Sequence, residues 1–537
     1  MSDSADFVIV GGGVAGALLA DRLGRAGKSV ILLEAGSRVV RDEAARKYAA
    51  ASARTLKAPY EDEHFAFAPF DLPAGTNFKS TYMRRLGGTT WHWQGHTPRM
   101  LPADFTLFSL YGVGVDWPIR YEHLESWYCQ AEAELGVSGD HAVWNGLFGA
   151  FRSQPFPMGP IWPSYGDRRV SEEMQGLTFD GQELHVRSIP QARNSSPYKG
   201  RPACAGNSTC IPLCPIGAKY DASTHLDRVE KRRSSKVTVH DLMQAVKLEI
   251  VGGKVKQVMA VDGRTMESKP FKGDVVIVCA NAIETIRLLM ASNYVDESDE
   301  LGRNLMDHPT GQVVALAPWP VWPFRGPPAT SGIDDLRDGD SRSKMAAVKF
   351  SLGNDGWGRF QAPEEIVAKR WIGAVGFGEA LRKKIEDEGP RLYRISWASE
   401  QLPSRDNRLV DTKETDHVGL PKIRIDYSVE DYALDTFPRA RTAVRRIFER
   451  AKMTDILVDP DPRKFGGSGH ILGTCRMGAD KTRGVVDSFG RAYAADNLFV
   501  VGGATFPTVG TSNPTLTIAA LALRTAEHLG GASDVEQ

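Results

Sequence analysis

Short, wholly apolar runs alternate with segments of helical period at both ends of this chain. Phe7-Val8-Ile9-Val10 is a four-residue apolar run of the kind that forms a strand buried on both faces of a parallel sheet. Gly11-Gly12-Gly13-Val14-Ala15-Gly16 follows at once, and then Leu18, Leu19 and Leu23 at helical spacing. A second run, Val30-Ile31-Leu32-Leu33, ends in Glu34. The order predicts strand, glycine turn, helix and second parallel strand. The pattern fades over residues 37–80, which are polar, aromatic and rich in Pro and Ala, and read as a partly helical excursion or lid. Residues 124–135 predict an amphipathic helix closed by Gly136. Alternating α/β character returns over 236–290. Strands are predicted at 237–239 and 247–251, with a turn at Gly252-Gly253. A buried strand over 274–282 then feeds a helix through Leu288, Leu289 and Met290. Residues 310–460 mix strands and helices with many charges and no nucleotide signal. One more buried strand, 497–503, precedes a helix over 514–529. No internal repeat or low-complexity segment is present.

The N-terminal glycines have distinct physical roles. Gly11 permits the tight turn, Gly13 lets a pyrophosphate approach the backbone, and Gly16 lets helix and strand pack closely. Phosphates there sit on a helix N-terminus, whose free N–H groups and dipole favour anions. Glu34 ends the second strand, where a carboxylate takes a ribose hydroxyl pair. No second fingerprint of this kind follows a strand elsewhere, which disfavours a two-nucleotide reductase. An extended FAD needs contacts from distant segments, and one candidate is Gly87-Gly88-Thr89-Thr90-Trp91-His92-Trp93. Its glycines permit close approach, and its hydroxyls and rings suit a flavin's polar edge and flat face. A glycine turn before an ordinary packed tryptophan is the plainer alternative.

Composition narrows the class without changing this picture. A chain of 537 residues is too long for one simple core, so two lobes are expected. It is 42% apolar and 25% charged, with no uncharged apolar run long enough to span a bilayer. Zero formal net charge argues against nucleic acid as a partner and against a polybasic membrane anchor. The residues before Phe7 show no basic and apolar regions of a signal peptide.

With the Gly11–Gly16 fingerprint, the Gly87–Thr90 turn, the run 301–309 ending in Asp307-His308-Pro309, and the Gly469-His470 and Ser512-Asn513-Pro514 segments, the chain resembles the glucose-methanol-choline (GMC) oxidoreductases. The motifs occur in family order over nearly the whole length. Within the family, residues 88–93 and 210–218 make it similar to catalytic subunits of bacterial FAD-dependent sugar and polyol dehydrogenases. The resemblance implies an α/β, GMC-type fold, with a Rossmann-like FAD-binding domain interleaved with an α+β substrate-binding domain. The expected parts are FAD-binding segments at 1–100, 236–310 and 466–537, an insertion at 101–235, and a substrate-binding domain at 311–465. FAD contacts are expected at Gly11, Gly13, Gly16, Glu34, Gly87, Gly88, Thr89, Thr90, Gly503 and Thr515. The flavin is noncovalent in some members and bound through a histidine in others.

Cys204, Cys210 and Cys214 follow C-x5-C-x3-C spacing and are trailed by Pro215. A disulfide would leave one thiol over, and structural zinc wants four ligands. An iron–sulfur cluster fits the loop better, and three ligands without a nearby fourth favour a 3Fe–4S cluster, as in the narrower subfamily. Zinc and buried free thiols are the alternatives. The other three cysteines read as packing residues.

Alcohol oxidation removes a hydroxyl proton and a hydride, and the flavin takes the hydride. His470 stands in the family's catalytic base position, and Asn513 in the position that hydrogen-bonds the substrate oxygen. His308 reads as part of the domain structure, and His92 as a weaker flavin contact. The expectation is therefore a dehydrogenase of a sugar, polyol, sugar acid or glycoside. Its electrons leave through the cluster to a cytochrome, quinone or dye. A cluster-free oxidase and a non-catalytic flavin electron-transfer subunit are the rival readings. The subfamily implies a small chaperone-like subunit and a cytochrome c subunit, and with them a place on the periplasmic side of the bacterial inner membrane. A cytoplasmic enzyme is the other possibility.

Overall fold

The structure is a computed structural model that describes residues 3–51, 57–60, 70–357 and 367–530. The predicted N-terminal unit is present. Strand Ser4–Val10 leads into helix Val14–Arg25 and strand Val30–Leu33, and all four residues of the second strand are buried. These strands form a parallel sheet with Val237–His240 on one side and Ser268–Val278 on the other. The late strand Leu498–Val500 joins beyond Ser268–Val278, also in parallel. Five short apolar strands from distant parts of the chain thus make one Rossmann-like layer.

The first half of Ser268–Val278 turns outward and pairs antiparallel with Lys254–Asp262, which pairs in turn with Met243–Val251. The strand expected at 247–251 is therefore one arm of a longer hairpin. Helices Val14–Arg25, Glu125–Leu135, Ser223–Lys231 and Thr515–His528 pack together beside the parallel strands. Glu125–Leu135 ends as expected, with Gly136 in the left-handed region at φ 65°. Helix Ala282–Ala291 starts where Asn281 Oδ1 accepts the Ile283 N–H.

A second, antiparallel sheet has the order Thr454–Leu457, Thr310–Leu316, Leu392–Ser399, Val348–Gly353, Ala329–Ile333 and Val186–Ser188. Helix Thr436–Arg450 lays Phe437, Ala440, Val444, Ile447 and Phe448 against it, a stripe at helical spacing that forms a separate core. Its outermost strand, Val186–Ser188, comes from the stretch expected to form the insertion. Within residues 37–80, Arg41–Ala50 is helical and Phe70–Asp71 pairs with Pro421–Asp426; much of the expected lid lies outside the described residues. Among the described residues no helix is long and apolar enough to cross a membrane.

Candidate active site

The carboxyl ends of the parallel strands open into a cavity of about 240 Å³. Its walls bring together Gly11, Gly13, Glu34, Gly88, Thr89, Thr90, His470, Gly503 and Thr515, drawn from both ends of the chain. Gly16 and Gly87 support this wall from behind. A Cβ on Gly16 would lie 2.0 Å from the Gly11 carbonyl oxygen, so only glycine allows the helix to sit this close to its strand. A Cβ on Gly13 would meet nothing within 4 Å. That empty approach, beside a helix N-terminus, is what a pyrophosphate requires.

Glu34 is buried, and both carboxylate oxygens accept backbone N–H groups, Oε2 from Gly12 at 2.8 Å and Oε1 from Gly36 at 2.7 Å. Burial pushes its carboxyl up to about 7, against those hydrogen bonds. Each oxygen keeps a lone pair for a ribose hydroxyl. Gly88 packs on the phosphate turn, where its Cβ would come within 3.2 Å of the Gly13 Cα. Thr90 Oγ1 donates to the Gly87 carbonyl and accepts from the Ala222 N–H at 2.9 Å. The cavity thus has a ribose end, a phosphate turn and a wall of hydroxyls and rings, and these residues fit FAD.

His470 closes the opposite wall. Residues 306–310 run antiparallel to 466–472, with Met306 paired to Leu472 and Thr310 to Gly466. The two pairs differ in register by two residues, so the stretch between them bulges, and within it the His308 and His470 rings face each other. Their Nδ1 atoms are 2.9 Å apart and their rings perpendicular. The buried Asp307 carboxylate accepts the backbone N–H groups of His308, Ser468 and His470, and the Ser80 hydroxyl as well. One acid therefore fixes both strands of the pair.

The hydrogen bonds determine where the protons are. His308 Nε2 faces the Gly510 carbonyl at 3.1 Å, which only accepts, so this nitrogen carries a proton. Burial draws His308 down to about 3, so the ring is neutral and its Nδ1 bare. His470 Nδ1 must then donate to it, which leaves His470 Nε2 unprotonated. Burial, then His308, Lys349 and His96, hold His470 well below the ordinary histidine range. Asn513 Nδ2 lies 3.4 Å from that bare nitrogen, and Lys349 Nζ donates to Asn513 Oδ1. The bond from Nδ2 is long enough for an entering hydroxyl to displace it.

His308 and Lys349 were missed as site residues. The pairing that puts His308 against His470 joins segments far apart in sequence. Lys349 left a fainter trace, a single charge in the mostly apolar and mostly buried strand Val348–Gly353. His92 is half-buried, and its buried Nδ1 is unpartnered among the described residues.

The three clustered cysteines form no disulfide. Cys210 and Cys214 are buried and Cys204 is half-buried. The Gly206 N–H points at Cys204 Sγ (3.4 Å), and the Lys219 N–H at Cys214 Sγ (3.5 Å). The buried Lys219 ammonium donates to the carbonyls of Trp91 (2.8 Å) and Trp93 (2.7 Å), and Trp93 lines the flavin cavity. Among the described residues, two sets of three ligand atoms converge within 4.8 Å, and neither contains a cysteine. A single zinc about 2.3 Å from each sulfur needs all three within roughly 4.6 Å of one another, so no such site is preformed here. The two converging sets are engaged otherwise. Asp307 is committed to the loop donors, and Asp21 and Glu134, beside His225, pair with Arg25, Arg228, Arg232 and Lys199.

Comparison with known proteins agrees with this architecture. Family models described as GMC oxidoreductase match residues 174–310 and 403–522, and one described as an NAD(P)-binding Rossmann-like domain matches residues 9–65. The chain is 34% identical to the fructose dehydrogenase large subunit of Gluconobacter japonicus, over 98% of each chain. It is 29% identical to 6'''-hydroxyparomomycin C oxidase of Streptomyces lividus, over 98% of this chain and 91% of that one. A solved structure of pyridoxine 4-oxidase from Mesorbium loti shares the fold, with a TM-score of 0.67 at 22% identity over 98% and 99% of the two chains. The chain belongs to the GMC oxidoreductases, flavoproteins that act on CH–OH donors.

Proposed function

We propose that this protein is a dehydrogenase that oxidises a hydroxyl of a carbohydrate or polyol and passes the electrons to an iron–sulfur cluster rather than to oxygen. The observation that carries the reading is the bare Nε2 of His470, at the end of a hydrogen-bond chain beside the cavity. Glu34 holds the ribose, the Gly13 turn the pyrophosphate, and Thr89, Thr90 and Thr515 lie along the wall that takes the ring. The bound flavin supplies the hydride acceptor. His470 Nε2 accepts the substrate hydroxyl proton, and the Asn513 amide donates to the oxygen as negative charge gathers there. As His470 gains charge, its Nδ1–H bond to His308 becomes a charge-assisted bond and strengthens.

The full-length relative named for fructose supports the substrate class. The spacing of Cys204, Cys210 and Cys214, with the Gly206 N–H aimed at the Cys204 sulfur and the Lys219 N–H at the Cys214 sulfur, supports a 3Fe–4S cluster held by the three. The same relative is a large subunit, which supports partner subunits; a small subunit, a cytochrome c subunit and a periplasmic location are what the family resemblance adds to this reading. The experiment is anaerobic bleaching of the flavin by a panel of sugars, polyols, sugar acids and glycosides, with iron measured on the same protein. Bleaching by a member of the panel with no oxygen uptake in air is expected. His470→Ala should keep its flavin yet be reduced about 10²- to 10⁴-fold more slowly. The 29%-identical oxidase favours a second reading; rapid oxygen uptake with sugar alone, and no iron, selects it.

A further inference from the structure

We propose that Lys349 is a positioning residue for the oxidation: it grips Asn513 by its carbonyl oxygen and so turns the amide NH2 toward His470 Nε2 and the substrate oxygen. The two ends of an asparagine amide are almost the same shape, and its orientation is set by what surrounds it. A lysine ammonium facing it only donates and offers a carboxamide NH2 nothing to bond. The atom that Lys349 Nζ meets is therefore Oδ1, which leaves Nδ2 facing His470, as the 3.4 Å separation records. The chain from Lys349 through Asn513, His470 and His308 to Gly510 thus has its direction fixed at both ends, by a donor at one and a carbonyl at the other.

Nothing else in its surroundings accounts for a lysine here. Lys349 is 6% exposed, lies between buried Val348 and Phe350, and forms no ion pair among the described residues. The nearby Asp334 carboxylate is bonded to Arg337. Burial lowers the ammonium to about 7; the charged form only donates to Asn513 and fixes the amide, whereas the neutral amine also carries a lone pair. The titratable groups facing His470 are His308, His96 and Lys349, with Asp307 turned to backbone N–H groups; of the first three, burial leaves both histidines neutral. The Lys349 charge opposes protonation of His470, so losing it raises the pH at which the base is blocked.

This inference rests on the His470 and Asn513 roles proposed above, and the test separates the two. Lys349→Met is compared with wild type and His470→Ala in anaerobic stopped-flow reduction, using the panel member that bleaches the wild-type flavin fastest. With flavin content unchanged, Lys349→Met should be reduced about 10- to 100-fold more slowly, with half-saturation altered less than about threefold. Its rate should also fall off at a higher pH on the acid side. Lys349→Gln, which restores an NH2 donor, should recover part of the rate. A wild-type rate and an unmoved acid limb in Lys349→Met overturn the role of Lys349. A wild-type rate in His470→Ala overturns the reading beneath it.

Discussion

A histidine acts as a base only through the nitrogen that lacks a proton, so a partner must hold the proton on the other one. Here that partner is His308, itself oriented by the Gly510 carbonyl. His308→Ala frees the His470 ring and its tautomer, and flavin reduction should slow on the order of 10²-fold while substrate half-saturation changes little. The pH dependence follows in sign from the same surroundings. Burial and the neighbouring His308, Lys349 and His96 disfavour the imidazolium, so the acid limb of the reduction rate should lie well below the ordinary histidine range. Stopped-flow reduction across pH checks this; a limb at or above that range contradicts the buried neutral base. At this scale the chain was partly legible. His470 and Asn513 were legible through the family resemblance, by their positions after Gly469 and before the helix that starts at Thr515. The role of His308 depends on a contact between segments far apart in the chain, which no local pattern encodes.

Between neighbouring elements, the two glycines of the phosphate turn make opposite predictions. Gly16 is enclosed by the Gly11 carbonyl, so Gly16→Ala should force helix Val14–Arg25 off its strand and lower both thermal stability and flavin content. Gly13 faces open space, so Gly13→Ala should melt like wild type as the apoprotein yet retain little flavin. A melting curve and a flavin absorption spectrum separate the cases. Equal loss of stability in both variants would contradict the division of labour. Elements made of continuous apolar runs, such as Val30–Leu33, were readable because burial on both faces leaves no other residues to use. The three-residue strand Val186–Ser188 was not readable. It is half-buried, too short to show alternation, and defined only by the neighbour it reaches.

Across the whole molecule, the cysteine loop and the flavin cavity are separate in sequence but share a wall. Lys219 bonds to Trp91 and Trp93 from one side, and Leu213, between the last two cysteines, packs with Trp91 in a small core. If electrons leave by this wall, Cys210→Ser should lower bound iron and slow turnover with a physiological acceptor. The single-turnover reduction of flavin by substrate should stay within about threefold of wild type, since His470 and Asn513 are untouched. Iron analysis, electron paramagnetic resonance and stopped-flow measure the two halves independently. The spacing of the cysteines could be read in the sequence. Their tie to the flavin wall could not, because it runs through main-chain carbonyls.

The parallel sheet begins with strand Ser4–Val10 and is completed by Leu498–Val500. During synthesis, then, the sheet waits for one of its members until residues 498–500 have been made. Until that strand arrives, the edge of Ser268–Val278 at Val276–Val278 is unpaired and open to wrong partners. Asn513 and the Gly510 carbonyl follow later still. A ribosome-bound chain can therefore have its first nucleotide-binding turn long before it has a polarised base, and chemistry is delayed until folding is almost complete. The same arrangement makes the nascent chain dependent on protection during that wait, as non-local sheets generally are.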